Sequence, residues 1–116
     1  MEQLAQEFEI HKLRELGKKH GNALKNLVQL EDSKKILKAS IMLEYQIGSN
    51  GKPTSVASQE TFAYADERYQ KHIEAIAEAT GLEMQLRWEK RIIEIKLELI
   101  KVESFNGNAE KKAYSI

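Results

Sequence analysis

The sequence predicts an all-α protein, a long antiparallel helical hairpin of coiled-coil character. Three observations predict it. Leu13, Leu16, His20, Ala23, Leu27, Leu30, Lys34, Leu37 and Ile41 follow one another in steps of three and four, the spacing of a helix that buries one face against another helix. A second periodic stretch covers residues 58–105. Between the two lie Gly48, Asn50, Gly51 and Pro53, residues that turn a chain and block a helix.

The first helix is expected over residues 2–47, with Leu4, Phe8, Leu13 and Leu16 on roughly one face. Gly17, Lys18, Lys19, His20 and Gly21 admit two readings. Basic residues before a glycine suit a helix C-terminus, and Asn22 then caps a new helix. Alternatively one helix runs through, with each glycine costing about 1 kcal/mol relative to alanine. The seam crosses this region without a phase change, which favours continuity. From Asn22 onward Leu24 and Val28 widen the apolar face, and Glu31 and Lys35 form a favourable pair one turn apart.

The turn is expected over residues 48–55. Asn50 and Gly51 are also a hairpin signal, but their flanks do not alternate as strands do. Ser55 and Ser58 both suit the cap of the second helix, expected over residues 56–105. Phe62, Ala65, Tyr69, Ile73 and Ile76 recur at helical spacing, and Leu82, Leu86 and Trp88 continue past Gly81. Residues 92–102 are ambiguous. Ile93, Ile95, Leu97 and Leu99 alternate with Glu94, Lys96 and Glu98, which taken alone is a strand pattern. No breaker precedes them and no partner strand is visible, so helix is preferred. A helix apolar on two faces must bury both: one meets the first helix, and the other calls for a second subunit. Residues 106–116 read as a flexible tail. The 116 residues thus form one domain, and so long a hairpin has little core of its own, which points to a dimeric or higher helical bundle.

Composition narrows the function classes. Charged residues make up 31% of the chain and hydrophobic ones 41%, with a formal net charge of zero. Free nucleic-acid binders are usually basic, so neutrality counts against that class unless charge is segregated. The absence of cysteine excludes disulfides, thiolate zinc sites and cysteine nucleophiles, and fits a reducing compartment. The acidic, amphipathic start is unlike a signal peptide. No apolar run approaches the ~20 residues that cross a bilayer. The expectation is a soluble, cytoplasmic protein without membrane contact.

Candidate chemistry is sparse. Glu7 and His11 share a helix face at metal-ligand spacing, but no further ligands match, so no metal site is expected. His20 sits in the seam, where a polar residue more often sets register or oligomeric state. Paired helix-face carboxylates such as Glu94 and Glu98 read as solubilising charges, since acid–base work needs a shaped pocket. No phosphate loop or nucleophile motif is present. Neither an enzyme nor a cofactor is expected. Two surfaces remain. Arg87 and Trp88, with Tyr64 and Tyr69, are residue types that anchor interfaces, and core packing explains them equally well. Lys34, Lys35 and Lys38 form a basic cluster able to meet phosphates, or a solvated helix face laced with glutamates.

The order of several short pieces adds a resemblance. Leu30, Glu31, Lys34, Lys35, Lys38 and Ala39 are followed by Met42 and a glycine-bearing turn. Then come Ser58, Gln59, Glu60, Ala63, Tyr64, Ala65, Tyr69, Leu86, Arg87 and Trp88. Over residues 23–104 this resembles a group of small helical proteins encoded by phages and prophages, often beside recombination genes. That group often carries a second tryptophan followed by arginine where this chain has Ile100, Lys101 and Val102. The resemblance implies helix over residues 91–102 and a setting in phage DNA metabolism, with host-cell cytoplasm as the compartment. It transfers no catalytic or binding residue. The expected function is that of a non-enzymatic phage accessory protein, a homo-oligomer that binds another protein in recombination or replication. The alternatives are a nucleic-acid-binding protein using the lysine cluster and an inhibitor of a host defence enzyme.

Overall fold

The computed structural model describes residues 2–114. Its elements are α1 (Glu2–Glu44), α2 (Val56–Ala65) and α3 (Glu67–Tyr114), with no strand among the described residues. The chain divides into two units. One is Ala23–Glu83; the other joins the residues up to Asn22 with those from Met84 onward. Each unit pairs a segment of α1 with a segment of α3.

α1 passes through Gly17 and Gly21 unbroken, so the continuous reading is the one that forms. A β-carbon at either glycine meets nothing within 4 Å, so neither glycine serves close packing. Leu13, Leu16, His20, Ala23, Leu27, Leu30, Lys34, Leu37 and Ile41 are all buried or half-buried, seam position by seam position. α3 carries a matching set: Tyr69, His72, Ile76, Ala79, Glu83, Leu86, Lys90, Ile93, Leu97, Ile100, Ser104 and Gly107. Its steps again alternate three and four, the repeat that holds one helix face toward another. Residues 92–102 are therefore helix, and their apparent strand alternation comes from apolar residues placed on a second face.

The unit Ala23–Glu83 has a closed core. Ile41 and Ala63 are wholly buried and Tyr69 nearly so, with Leu37, Met42 and Tyr45 packed around them. α1 stops at Glu44, three residues before the expected end. Tyr45 and Gln46 close its last turn by bonding back to the Met42 and Leu43 carbonyls. The connection then folds on itself. Gly48 N–H donates to the Lys52 carbonyl at 2.8 Å and Thr54 N–H to the Gln46 carbonyl at 2.9 Å, with one bridge between Ile47 and Pro53. Gly51, at φ +77°, takes the left-handed conformation this turn requires. The hairpin signal of Asn50 and Gly51 thus yields a single bridge rather than two strands. Of the two candidate caps, Ser55 is the one used: its Oγ accepts from Ser58 N–H at 3.1 Å.

The second long helix is not continuous, contrary to expectation. It breaks at Asp66, which is extended at φ −66°, ψ 135°. Asp66 serves two helices at once. Its N–H bonds the Ala63 carbonyl to end α2, and its carboxylate accepts from Arg68 N–H at 2.9 Å to begin α3. Packing gives the reason. Ala63 and Tyr69 are both buried but six residues apart, one short of a heptad, so a single helix cannot aim both at Ile41. The expected face accordingly shifts: Phe62 and Ile73 stay exposed. At the other end the expected tail from residue 106 is instead helix to Tyr114, with Ser104 and Gly107 half-buried in phase with the seam. Residues 115–116 lie outside the described part.

In the second unit Leu16, Leu86 and Ile93 are buried, and so is His20. Lys90 Nζ donates to His20 Nδ1 at 3.2 Å across the helix pair, so two polar seam residues satisfy each other where apolar neighbours exclude water.

Candidate functional site

The four residues expected at an interface fall in two units. Tyr64 and Tyr69 come together in the unit Ala23–Glu83, their rings 5.5 Å apart in an edge-on arrangement at 70°. Tyr69 is buried against Ile41 and Ala63. Tyr64 is exposed, and its hydroxyl accepts from Lys38 Nζ at 2.8 Å while the same ammonium lies 4.6 Å from its ring centre. These contacts tie α2 to α1. The Tyr64 hydrogen bond, with Glu60 nearby, raises the Lys38 ammonium above the ordinary lysine value.

The lysine cluster is largely engaged. Lys38 also faces Glu60 at 3.8 Å, and Lys34, half-buried in the seam, faces Glu31 at 3.6 Å. Lys35 is exposed. A stronger charged knot lies nearby and was not foreseen: Arg68 bridges Glu44 and Asp66. Its guanidinium holds both carboxylates below their usual range, and they in turn raise the guanidinium. This knot locks the end of α1 to the start of α3, a structural task. His72 Nε2 adds another tie by donating to the Leu30 carbonyl at 2.7 Å.

Arg87 and Trp88 belong to the second unit, on α3. Trp88 is 64% exposed, and with Met84, Arg87 and Arg91 it borders a surface concavity of about 510 Å³. Trp88 is not alone. Ile92, Ile95, Leu99 and Val102 are exposed too, and with Trp88 they step by four and three along α3. They form a second heptad stripe on the helix face opposite the buried seam. Met84 and Phe105, both exposed, flank its ends. A groove of about 330 Å³, lined by Lys12, Leu16, Glu89, Ile92, Ile93 and Lys96, runs beside it. Ile92, Ile95, Leu99 and Val102 were legible only as an excess of apolar residues. Reading their steps from Trp88 isolates the stripe.

Among the described residues no three His, Cys, Asp or Glu side chains converge to hold a metal ion. No helix there is long and apolar enough to cross a membrane. Comparison of the chain with protein-family models, with curated proteins and with solved structures finds no match.

Proposed function

We propose that this chain is a non-enzymatic accessory protein that works by binding protein, with the Trp88 stripe of α3 as its contact surface. One observation carries the reading. Trp88, Ile92, Ile95, Leu99 and Val102 keep coiled-coil spacing on a face that the fold leaves exposed, and a contiguous apolar patch of that kind is the mark of an interaction site. Tryptophan flanked by arginine is also the composition of interface hot spots. A setting in phage or prophage recombination or replication rests on the resemblance over residues 23–104 alone.

Two measurements test this. Labelled single- and double-stranded oligonucleotides titrated at low salt are expected to show no binding. Tight, salt-sensitive binding lost on replacing Lys34, Lys35 and Lys38 with alanine overturns the proposal in favour of phosphate recognition. Affinity capture from cells that make the protein, with the wild-type chain and Trp88→Ala as baits, is expected to differ in the proteins retained. Identical capture removes Trp88 from the contact surface.

A further inference from the structure

Resting on that contact surface, we propose that its occupant is a second copy of this chain, laid antiparallel, so that two α3 helices pair through Trp88, Ile92, Ile95 and Leu99.

The stripe is complementary to itself. A two-fold contact requires that whenever one residue meets another, the reverse contact also forms. With Ile92 set against Ile95 of the second copy, Trp88 falls against Leu99, and symmetry repeats both pairs. In a coiled-coil pair the residues bordering the seam meet across it and decide orientation. On one border Arg91 meets Glu98, and Met84 meets Phe105 beyond it. On the other Glu89 meets Lys96. Opposite charges face each other on both borders, and the apolar border residues face each other too. Parallel pairing brings Arg91 to Lys96 and Glu98 to Glu103, like charges in both places, and is disfavoured.

The available surface is sufficient. The seven apolar residues from Met84 to Phe105 are 41% to 72% exposed. Together they offer on the order of 800 Å² per chain, what a standard protein interface buries on each side. The groove beside Ile92 holds Glu89 and Lys96, so the charged border is continuous with the stripe. The resulting order of helices, α1 and α3 of one copy followed by α3 and α1 of the other, places both α3 helices inside with both apolar faces covered.

Sedimentation and light scattering over a range of concentrations test the pairing. The mass is expected to rise from the 13.3 kDa of one chain to twice that. The emission of Trp88, the only tryptophan, is expected to shift to the blue over the same range. Orientation is read from the Glu89 and Lys96 border, because Arg91 and Glu98 already pair within one helix at 3.9 Å. Lys96→Glu is expected to weaken the dimer roughly tenfold, since two opposed pairs become like-charged. Glu89→Lys is expected to do the same, and the double variant to restore wild-type affinity. Far-UV circular dichroism confirms that each variant keeps its helices. A mass that stays at one chain at every concentration overturns the proposal, and so does a double variant as weak as the single ones. A single-chain mass combined with protein capture lost on Trp88→Ala overturns the self-pairing alone and leaves the contact surface standing.

Discussion

The two units apply one heptad rule and end differently. In Ala23–Glu83 a third helix closes the pair. α2 brings Ala63 onto Ile41, and Lys38, Arg68 and His72 tie helix to helix by hydrogen bonds. In the unit formed by the residues up to Asn22 and those from Met84 onward, no described residue covers the outer face of α3, and its apolar stripe faces solvent. In its seam His20 and Lys90 bond each other, and one buried carboxylate oxygen of Glu9 has no hydrogen-bond partner among the described residues. The lesson is that heptad spacing specifies a seam but not what fills it. Where the same chain supplies a covering helix the result is a core; where it does not, the result is a surface suited to association.

Substitutions can break this contrast at its strongest point first. Ile41→Ala removes a wholly buried side chain and is expected to destabilise the fold by about 3 kcal/mol, as core truncations do. Chemical denaturation measures it. Trp88→Ala, on the exposed stripe, is expected to leave the dilute chain's stability within about 0.5 kcal/mol of wild type.

Glycine-to-alanine changes sharpen the contrast because their sign depends on backbone. Gly51→Ala meets a positive φ and is expected to cost about 1 kcal/mol. Gly21→Ala meets open space in the middle of a helix and is expected to gain up to about 1 kcal/mol. Opposite shifts in melting temperature check both. Replacing seam Glu9 with leucine removes the orphaned oxygen and is expected to stabilise by about 1 kcal/mol.

The smallest effect is with pH. Glu44 and Asp66 ionise more readily when folded because Arg68 holds their charged forms. A carboxylate with a lowered folded pKa contributes stability that is fully present above its unfolded value and lost as pH falls through the folded one. The Arg68 knot is therefore expected to weaken from about pH 5 downward. In Arg68→Leu, the slope of melting temperature against pH between about 5 and 3 is expected to flatten.

How much of this was legible follows from which signals are local. The seam from Leu13 to Ile41 was readable because its residues are mostly apolar and evenly stepped. The matching seam of α3 was harder, because His72, Glu83 and Lys90 occupy buried or half-buried positions with polar side chains. The break at Asp66 was hidden, since no glycine or proline marks it. Its cause is a one-residue phase slip between Ala63 and Tyr69, which matters only once Ile41 is in place. Tyr64 was readable as a candidate contact, yet its hydroxyl serves Lys38 within the fold. Trp88 was readable as a candidate, but its partners in the stripe required knowing which face the seam had taken.

Hydrogen exchange followed along α3 at low and high protein concentration tests the central claim most directly. Amides from Met84 to Phe105 are expected to gain protection as concentration rises, while those from Glu67 to Glu83, already in the closed unit, stay unchanged. Protection that is uniform along α3 and independent of concentration would contradict the account.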